Sequence, residues 1–291
     1  MPLYKATLGH LAGINQLLQS AYYRYVDMGL EDLSGLVSSG TTVFGEDLGR
    51  IWGFVGVQVE ERPETMPSNA PTRAHVRAVA FHHNHPPQQE LGRLLEVVVR
   101  AQANHPHAIQ YLCYGAEHWL STALSEAGFT QVEAVQFYQL DRLRSRLHTL
   151  PPPPPELTFS SLRPEQLDEL AELDALTFDP LWHFGRRDLF ELLMRGRIEL
   201  AWWEGTLVGY TAICANSRSE AQLARLAVHP EYQGRGIGRA LLSEAIQYAA
   251  RDFDVFVLNT QINNSRSQKL YRGLGFRPIG MSLAVWGLTV P

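Results

Sequence analysis

The sequence predicts an α/β protein built from one layered unit repeated twice. Three observations carry that reading: a length of 291 residues, five consecutive prolines near the midpoint, and landmarks of one half that recur in order in the other. A chain this long exceeds the usual ~100–200 residues of one domain, so two domains are expected, each able to bury its own core. Pro151 to Pro155 favour a stiff, extended segment without backbone donors. The run therefore reads as a linker, residues 151–155, between domains at 1–150 and 156–291.

The landmarks test the repeat. "GRIWGFVGV" (Gly49 to Val57) lies over "GTLVGYTAI" (Gly205 to Ile213), 156 residues apart. "LGRLLEVVVRAQA" (Leu91 to Ala103) lies over "IGRALLSEAIQYA" (Ile237 to Ala249) at 146, and "SEAGF" (Ser125 to Phe129) over "RGLGF" (Arg272 to Phe276) at 147. The drop from 156 to 146 places about ten extra residues in the first half, in the Pro-rich "ERPETMPSNAPTRAH". Each half then reads as an opening helix ("GHLAGINQLLQSAYY"; "EQLDELAELDALTF"), a hairpin, a strand, a helix, another strand and a short helix ending at Gly-Phe.

Composition narrows the function classes. A net charge of -5 argues against a nucleic-acid binder, which carries a basic surface against phosphates. No stretch of 18 apolar residues occurs and the N-terminus lacks a signal-like core, so neither a membrane span nor export is expected. Cys113 and Cys214 lie in apolar runs and read as buried free thiols. The expectation is a cytoplasmic protein; oligomeric state is not given by the sequence.

The informative stretch is "LAVHPEYQGRGIGRALLSEAI", Leu226 to Ile246. "QLARLAV" (Gln222 to Val228) alternates as a half-buried strand, and "GRALLSEAIQYAARD" carries Leu241, Leu242, Ala245, Ile246 and Ala249 on one helical face. Gly234, Gly236 and Gly238 join them, where missing Cβ atoms permit a sharp turn and close approach to backbone amides. Unpaired N–H groups and the positive end of the helix dipole make such a loop an anion nest, to which Arg235 and Arg239 add charge-assisted donors. A P-loop is excluded because the motif ends Gly-Arg-Ala rather than Gly-Lys-Ser/Thr. A dinucleotide fingerprint fits less well, with Arg239 where its third glycine belongs, although Asp254 lies at a suitable distance.

"VHPEYQGRGIG" (Val228 to Gly238) resembles the V-x-P-x-x-Q/R-x-x-G-x-G/A signature of the GNAT superfamily of N-acetyltransferases, and "NSRSQKLYRGLGF" (Asn264 to Phe276) is similar to that family's N-x-x-A-x-x-L-Y-x-x-x-G-F helix, with Ser267 for the Ala. The resemblance covers the second half; the first enters through the repeat. It implies two tandem domains, each a mixed, mostly antiparallel sheet with splayed central strands flanked by helices. It implies acetyl-CoA as co-substrate, held by Gln233, Gly234, Arg235, Gly236, Ile237, Gly238 and Arg239 at the pyrophosphate, by Leu226, Ala227 and Val228 along the pantetheine arm, and with Asn264 from the second motif. Tyr271 matches the tyrosine that protonates the departing thiolate, and no metal is expected. The acceptor is an amine, on a small molecule or a protein, attacking the thioester directly.

For the base, the family's Glu position is Asn259, which cannot serve; Glu220, His229 and a water chain stay open. Acceptor contacts are expected from "TFDPLWHFGRRDLFELL" (Thr177 to Leu193), with Phe178, Trp182 and Phe184 as an apolar wall and Asp179 available to a cation. A silent acyl-CoA sensor and a nicotinamide-dependent oxidoreductase are the competing functions.

The first half lacks the same equipment. Gly234 and Gly236 map to Gln88 and Glu90, Pro230 to Asn84 and Tyr271 to Leu124, while Gly92 and Arg93 remain. Pro86 and Pro87 remove donors and Glu90 places negative charge where phosphate would sit. This half is expected to be a degenerate copy that does not bind CoA, and "FHHNHPP", with His82, His83 and His85, reads as a solvated loop rather than a metal site.

Overall fold

The computed structural model describes residues 2–291 as two compact units. Unit 1 comprises residues up to Arg62, Asn69–Ala134 and Leu283–Pro291; unit 2 comprises Pro63–Ser68 and Val135–Ser282. The first repeat supplies β1 (Leu3–Lys5), α1 (Leu11–Ser20), β2 (Tyr23–Val26), α2 (Leu33–Ser39), β3 (Thr41–Asp47), β4 (Arg50–Val59), β5 (Thr72–Phe81), α3 (Pro87–Ala101), β6 (Ile109–Gly115), α4 (His118–Glu126) and β7 (Thr130–Asp141). The second supplies α5 (Leu143–Arg146), β8 (Leu157–Ser161), α6 (Leu167–Thr177), α7 (Arg186–Arg195), β9 (Gly196–Trp203), β10 (Thr206–Ala215), β11 (Glu220–Val228), α8 (Ile237–Ala249), β12 (Val255–Gln261), α9 (Ser265–Gly273) and β13 (Arg277–Val290). The expected coarse order is present, with one omission. A second helix, α2 or α7, stands between each opening helix and its hairpin, and β2 precedes α2.

Within unit 1 the strands run β1-β3-β4-β5-β6-β13, and within unit 2 β7-β12-β11-β10-β9-β8. Neighbours are antiparallel except β5 with β6 and β11 with β12. Helices cover both faces of each sheet, as the 3.6-residue periodicity requires. In unit 1, α3 buries Leu91, Leu94, Leu95 and Val98 in one core, while α1 and α2 bury Ile14, Leu17, Leu18, Leu36 and Val37 in another. In unit 2, α8 supplies Leu241, Leu242 and Ile246 to cores on one face, and Leu170, Ala171 and Leu189 of α6 and α7 form the core of the other. Each fully buried Leu contributes about 1.5–3 kcal/mol.

Each repeat's last strand finishes in the sheet of the other unit. Val135–Asp141 of β7 pair with Gln261–Val255 of β12, and Ala284–Val290 of β13 pair with Gly115–Ile109 of β6. The units therefore divide near residues 134 and 282, not at the proline run, which lies within unit 2.

Both parallel pairs open after four residues. β11 meets β12 only from Glu220 opposite Val255 to Leu223 opposite Leu258, and β5 meets β6 only from Thr72 opposite Ile109 to His75 opposite Leu112. Beyond that point the two openings differ. In unit 1, β2 lies along the freed edge of β5, Tyr23 to Val26 facing Phe81 to Ala78, so the opening is filled by the chain's own backbone. Tyr25 of that strand is buried in the same core as Cys113 of β6. In unit 2, β11 beyond Leu223 keeps β10 on one edge, where Leu226, Ala227 and Val228 face Thr211, Tyr210 and Gly209.

Candidate functional site

The open end of β11 leads directly into the glycine loop. His229 donates its N–H to the Val208 carbonyl at 2.8 Å, and its Nδ1 accepts from the Glu231 N–H at 3.3 Å, capping a short turn at Pro230–Tyr232. Gly234 and Gly236 then take φ of +84° and +85°, where a Cβ would be strained, and Gly236 is the N-cap of α8. The helix starts with the Ala240 N–H bonding the Gly236 carbonyl at 3.0 Å. The N–H groups of Ile237, Gly238 and Arg239 have no carbonyl within that helix, the local condition for an anion nest.

The other residues expected there divide. Ile237 buries its side chain, 1% exposed, and offers only backbone. Gln233 is a strut: its Nε2 donates to the Val228 carbonyl at 3.1 Å and its Oε1 accepts from Arg266. Arg235 lies over the Tyr232 ring, 4.9 Å from its centroid. Arg239 is exposed on the first turn of α8, and Arg266, which sequence reasoning passed over, is exposed beside Gln233. Gly238 is less constrained than the other two glycines, since an added Cβ would meet Leu270 and Val228 only at 3.5 and 3.6 Å.

Asn264 and Tyr271 sit on α9. Asn264 is its N-cap, the side-chain oxygen accepting from the Ser267 N–H at 3.1 Å, which gives the family's Asn position a local structural task. Tyr271 is 5% exposed, with ring centroids 6.0 Å from Tyr138 and 6.1 Å from Phe276. Burial pushes its phenol up to about 12 against the opposing effect of a hydrogen bond with Ser267. It is therefore protonated at neutral pH, the state in which a phenol donates a proton.

Neither side-chain candidate for the base stands in the opening. Glu220 begins β11, its carboxylate bonded by Asn216, roughly 26 Å along the strand from Val228. The imidazole of His229 belongs to the loop turn and packs edge-on against Tyr232 at 5.6 Å. Asn259 is exposed on β12.

On the opposite face of the sheet, the segment expected to border the acceptor is held by a buried polar hub that the sequence did not disclose. Asp174 of α6 is 0% exposed and accepts four hydrogen bonds: from Arg225 Nε (2.8 Å) and Nη2 (2.7 Å), the Tyr210 hydroxyl (2.5 Å) and the Phe184 N–H (2.7 Å). Burial opposes the Arg225 charge, but Tyr210 and Asp174 outweigh it and hold the guanidinium above its ordinary value. Burial also pushes the Tyr210 phenol well up, so it remains a donor. The rings of Phe178 and Phe184 lie 3.5 and 3.9 Å from the Arg225 guanidinium carbon. These two aromatics thus enclose a cation of the protein itself instead of forming a bare apolar wall. Arg225 reaches this face because β11 bulges: Ala212 faces Arg225 but Ile213 faces Leu223. Trp182 contributes its carbonyl to Arg225, and Asp179 is exposed.

In unit 1 the helix corresponding to α8 begins differently. Its N-cap is Pro86 with Pro87 next, and Glu90 in the first turn bonds Arg93 at 2.6 Å. His85 stacks on Trp52 at 4.5 Å. Among the described residues no group of three or more His, Cys, Asp or Glu is placed to hold a metal, and no helix is long and apolar enough to cross a membrane.

Residues 167–276 match the model of the acetyltransferase (GNAT) family. The chain is 40% identical over 80 residues to the N-alpha-acetyltransferase RimI of Mycobacterium tuberculosis, covering 26% of this chain and 49% of that protein. It is 29% identical over 126 residues to a putative ribosomal protein bS18-alanine N-acetyltransferase of Bacillus subtilis, covering 42% of this chain and 81% of that one. The chain thus spans about half the length of the first of these relatives. A tandem GNAT protein from the clavulanic acid biosynthesis pathway superposes over 100% of this chain and 99% of its own, with a TM-score of 0.66 at 16% identity, a likeness of fold.

Proposed function

From the premise that this chain carries an acetyltransferase (GNAT) family domain within a tandem GNAT fold, we propose that unit 2 transfers an acetyl group from acetyl-CoA to a primary amine, and that unit 1 binds no CoA. One observation carries the reading. The parted strands β11 and β12 open next to three unpaired helix N–H groups in unit 2, while the matching opening in unit 1 is filled by β2.

The residues present fit such a donor. The N–H groups of Ile237, Gly238 and Arg239 face an anion at the helix start, with Arg235, Arg239 and Arg266 adding positive charge around it. Beyond Leu223 the edge of β11 at Leu226, Ala227 and Val228 offers backbone groups to the amide-bearing pantetheine arm, with the Val228 carbonyl already accepting from Gln233. Acetyl-CoA supplies the activated thioester; this chain orients it, and Tyr271 holds the proton that the departing sulfur takes as the amine nitrogen displaces it. The acceptor's own proton leaves through solvent, because Glu220 and Asn259 are unsuited and His229 is engaged in its turn.

The names of the two relatives put a peptide α-amino group first among acceptors to try, with lysine, polyamine and aminoglycoside amines beside it. The test is release of free thiol from acetyl-CoA by the full chain over that panel, alongside calorimetry with acetyl-CoA and NAD. Turnover with one amine class and one acetyl-CoA per chain is expected. Binding of NAD alone would overturn the reading, and tight acetyl-CoA binding without turnover of any amine would favour a sensor.

A further inference from the structure

Pro63–Ser68 belong to the first half of the sequence, within the stretch that the repeat offsets mark as about ten extra residues, yet they fold as part of unit 2. Their contacts fall on the loop between α6 and α7. Thr65 Oγ1 lies 2.7 Å from His183 Nε2, and His183 is 1% exposed. Pro63 packs on Gly185 so closely that a Cβ added there would stand 2.6 Å from the Pro63 Cβ. Met66 is buried at 7% exposure.

The residues flanking His183 are those that tie the loop to β11. The Trp182 carbonyl accepts from Arg225, and the Phe184 N–H donates to Asp174, which holds Arg225 in turn. Arg225 precedes Val228 by three residues on the strand that bounds the opening. A single sequence of contacts therefore runs from Thr65 through His183 and its neighbours to the wall of the candidate site.

We propose that Pro63–Ser68 act as a clamp borrowed from the first repeat, with Thr65 and His183 as positioning residues that fix the 178–185 loop and thereby set affinity for the acceptor amine. The proposal rests on the acetyltransferase reading only for its effect on the acceptor. The contacts of Thr65 and Pro63 fall on the 178–185 loop, so acetyl-CoA affinity should change little when Thr65 is altered.

The test uses the full chain carrying Thr65→Val, with Thr65→Ser as the rescue. Three quantities are measured: KM for a short peptide with a free α-amino group, or for whichever panel amine turns over best; the acetyl-CoA Kd by calorimetry; and hydrogen exchange of residues 178–185. In Thr65→Val the amine KM should rise on the order of ten-fold with kcat and the acetyl-CoA Kd little changed, and exchange should speed up within 178–185; Thr65→Ser should restore both. An unchanged amine KM, or unchanged exchange in that loop, would overturn the clamp, as would an equal loss of acetyl-CoA affinity. Exchange needs no turnover. If no amine reacts, the acetyltransferase reading fails alone while the loop measurement still decides the clamp.

Discussion

Asp174 and Arg225 meet in unit 2 through two parallel hydrogen bonds of 2.8 and 2.7 Å, with the carboxylate wholly buried and the guanidinium enclosed by two aromatic rings. Removing one charge strands the other, so Asp174→Asn is expected to lower unfolding free energy by about 3–5 kcal/mol, whereas the double replacement Asp174→Leu with Arg225→Met should cost much less. Denaturant titration of the two variants measures the difference; equal losses in single and double variants would contradict it.

Gly236 separates backbone strain from charge. Gly236→Ala places a Cβ at φ +85° with only an ordinary contact to Pro154 Cγ at 3.7 Å, so the backbone strain of roughly 1–2 kcal/mol is the main cost and acetyl-CoA should weaken only modestly. Gly236→Glu adds a carboxylate facing the unpaired N–H groups and should abolish acetyl-CoA binding in calorimetry.

For Tyr271, replacement by Phe keeps the ring among Tyr138 and Phe276 and removes only the proton. Turnover should fall on the order of 100-fold with acetyl-CoA affinity retained, within the usual range for loss of a general acid. Equal turnover in the variant would assign Tyr271 to packing.

Stability should depend on pH through Glu60. Burial alone would raise its pKa, but hydrogen bonds and charge from His75 and Arg73, at 2.7 and 2.6 Å, outweigh burial and hold it below the ordinary carboxylate value of 4.5. A lowered folded pKa contributes stability that is present above the unfolded value and is lost as pH falls through the folded one. The thermal midpoint should therefore drop on acidification below about 4.5, and Glu60→Gln should flatten that limb.

A fragment of residues 156–291 should not behave as an autonomous domain. It lacks Val135–Asp141, which cover β12, and Pro63–Ser68, and it keeps a strand whose partner β6 is absent. Bare strand edges template aggregation, so light scattering should show association where the full chain stays dispersed.

The second unit was legible because its chemistry is local. Glycines, an arginine and a helix start within one loop announce an anion site, and a second motif follows at a short interval. The repeat was legible through offsets, and even the extra residues that contain Thr65 were located. What escaped depends on distant partners: Asp174 and Arg225 are ordinary charged residues until a bulge brings them together, and nothing local in "YRYV" says that Tyr23–Val26 will fill the opening beside β5. Gln233 and Asn264 also carry local tasks, bracing the loop and capping α9, that the spacing alone does not disclose, since a side chain that braces a loop and one that binds a ligand obey the same spacing.

The exchange of last strands also imposes an order on synthesis. β6 is complete at Gly115, but its neighbour Ala284–Val290 follows all of unit 2 in the chain. At ~5–20 residues per second, an emerging chain carries the first unit with that edge bare for on the order of ten to thirty seconds. Unit 1, though most of it is translated first, is therefore the one whose sheet is completed last.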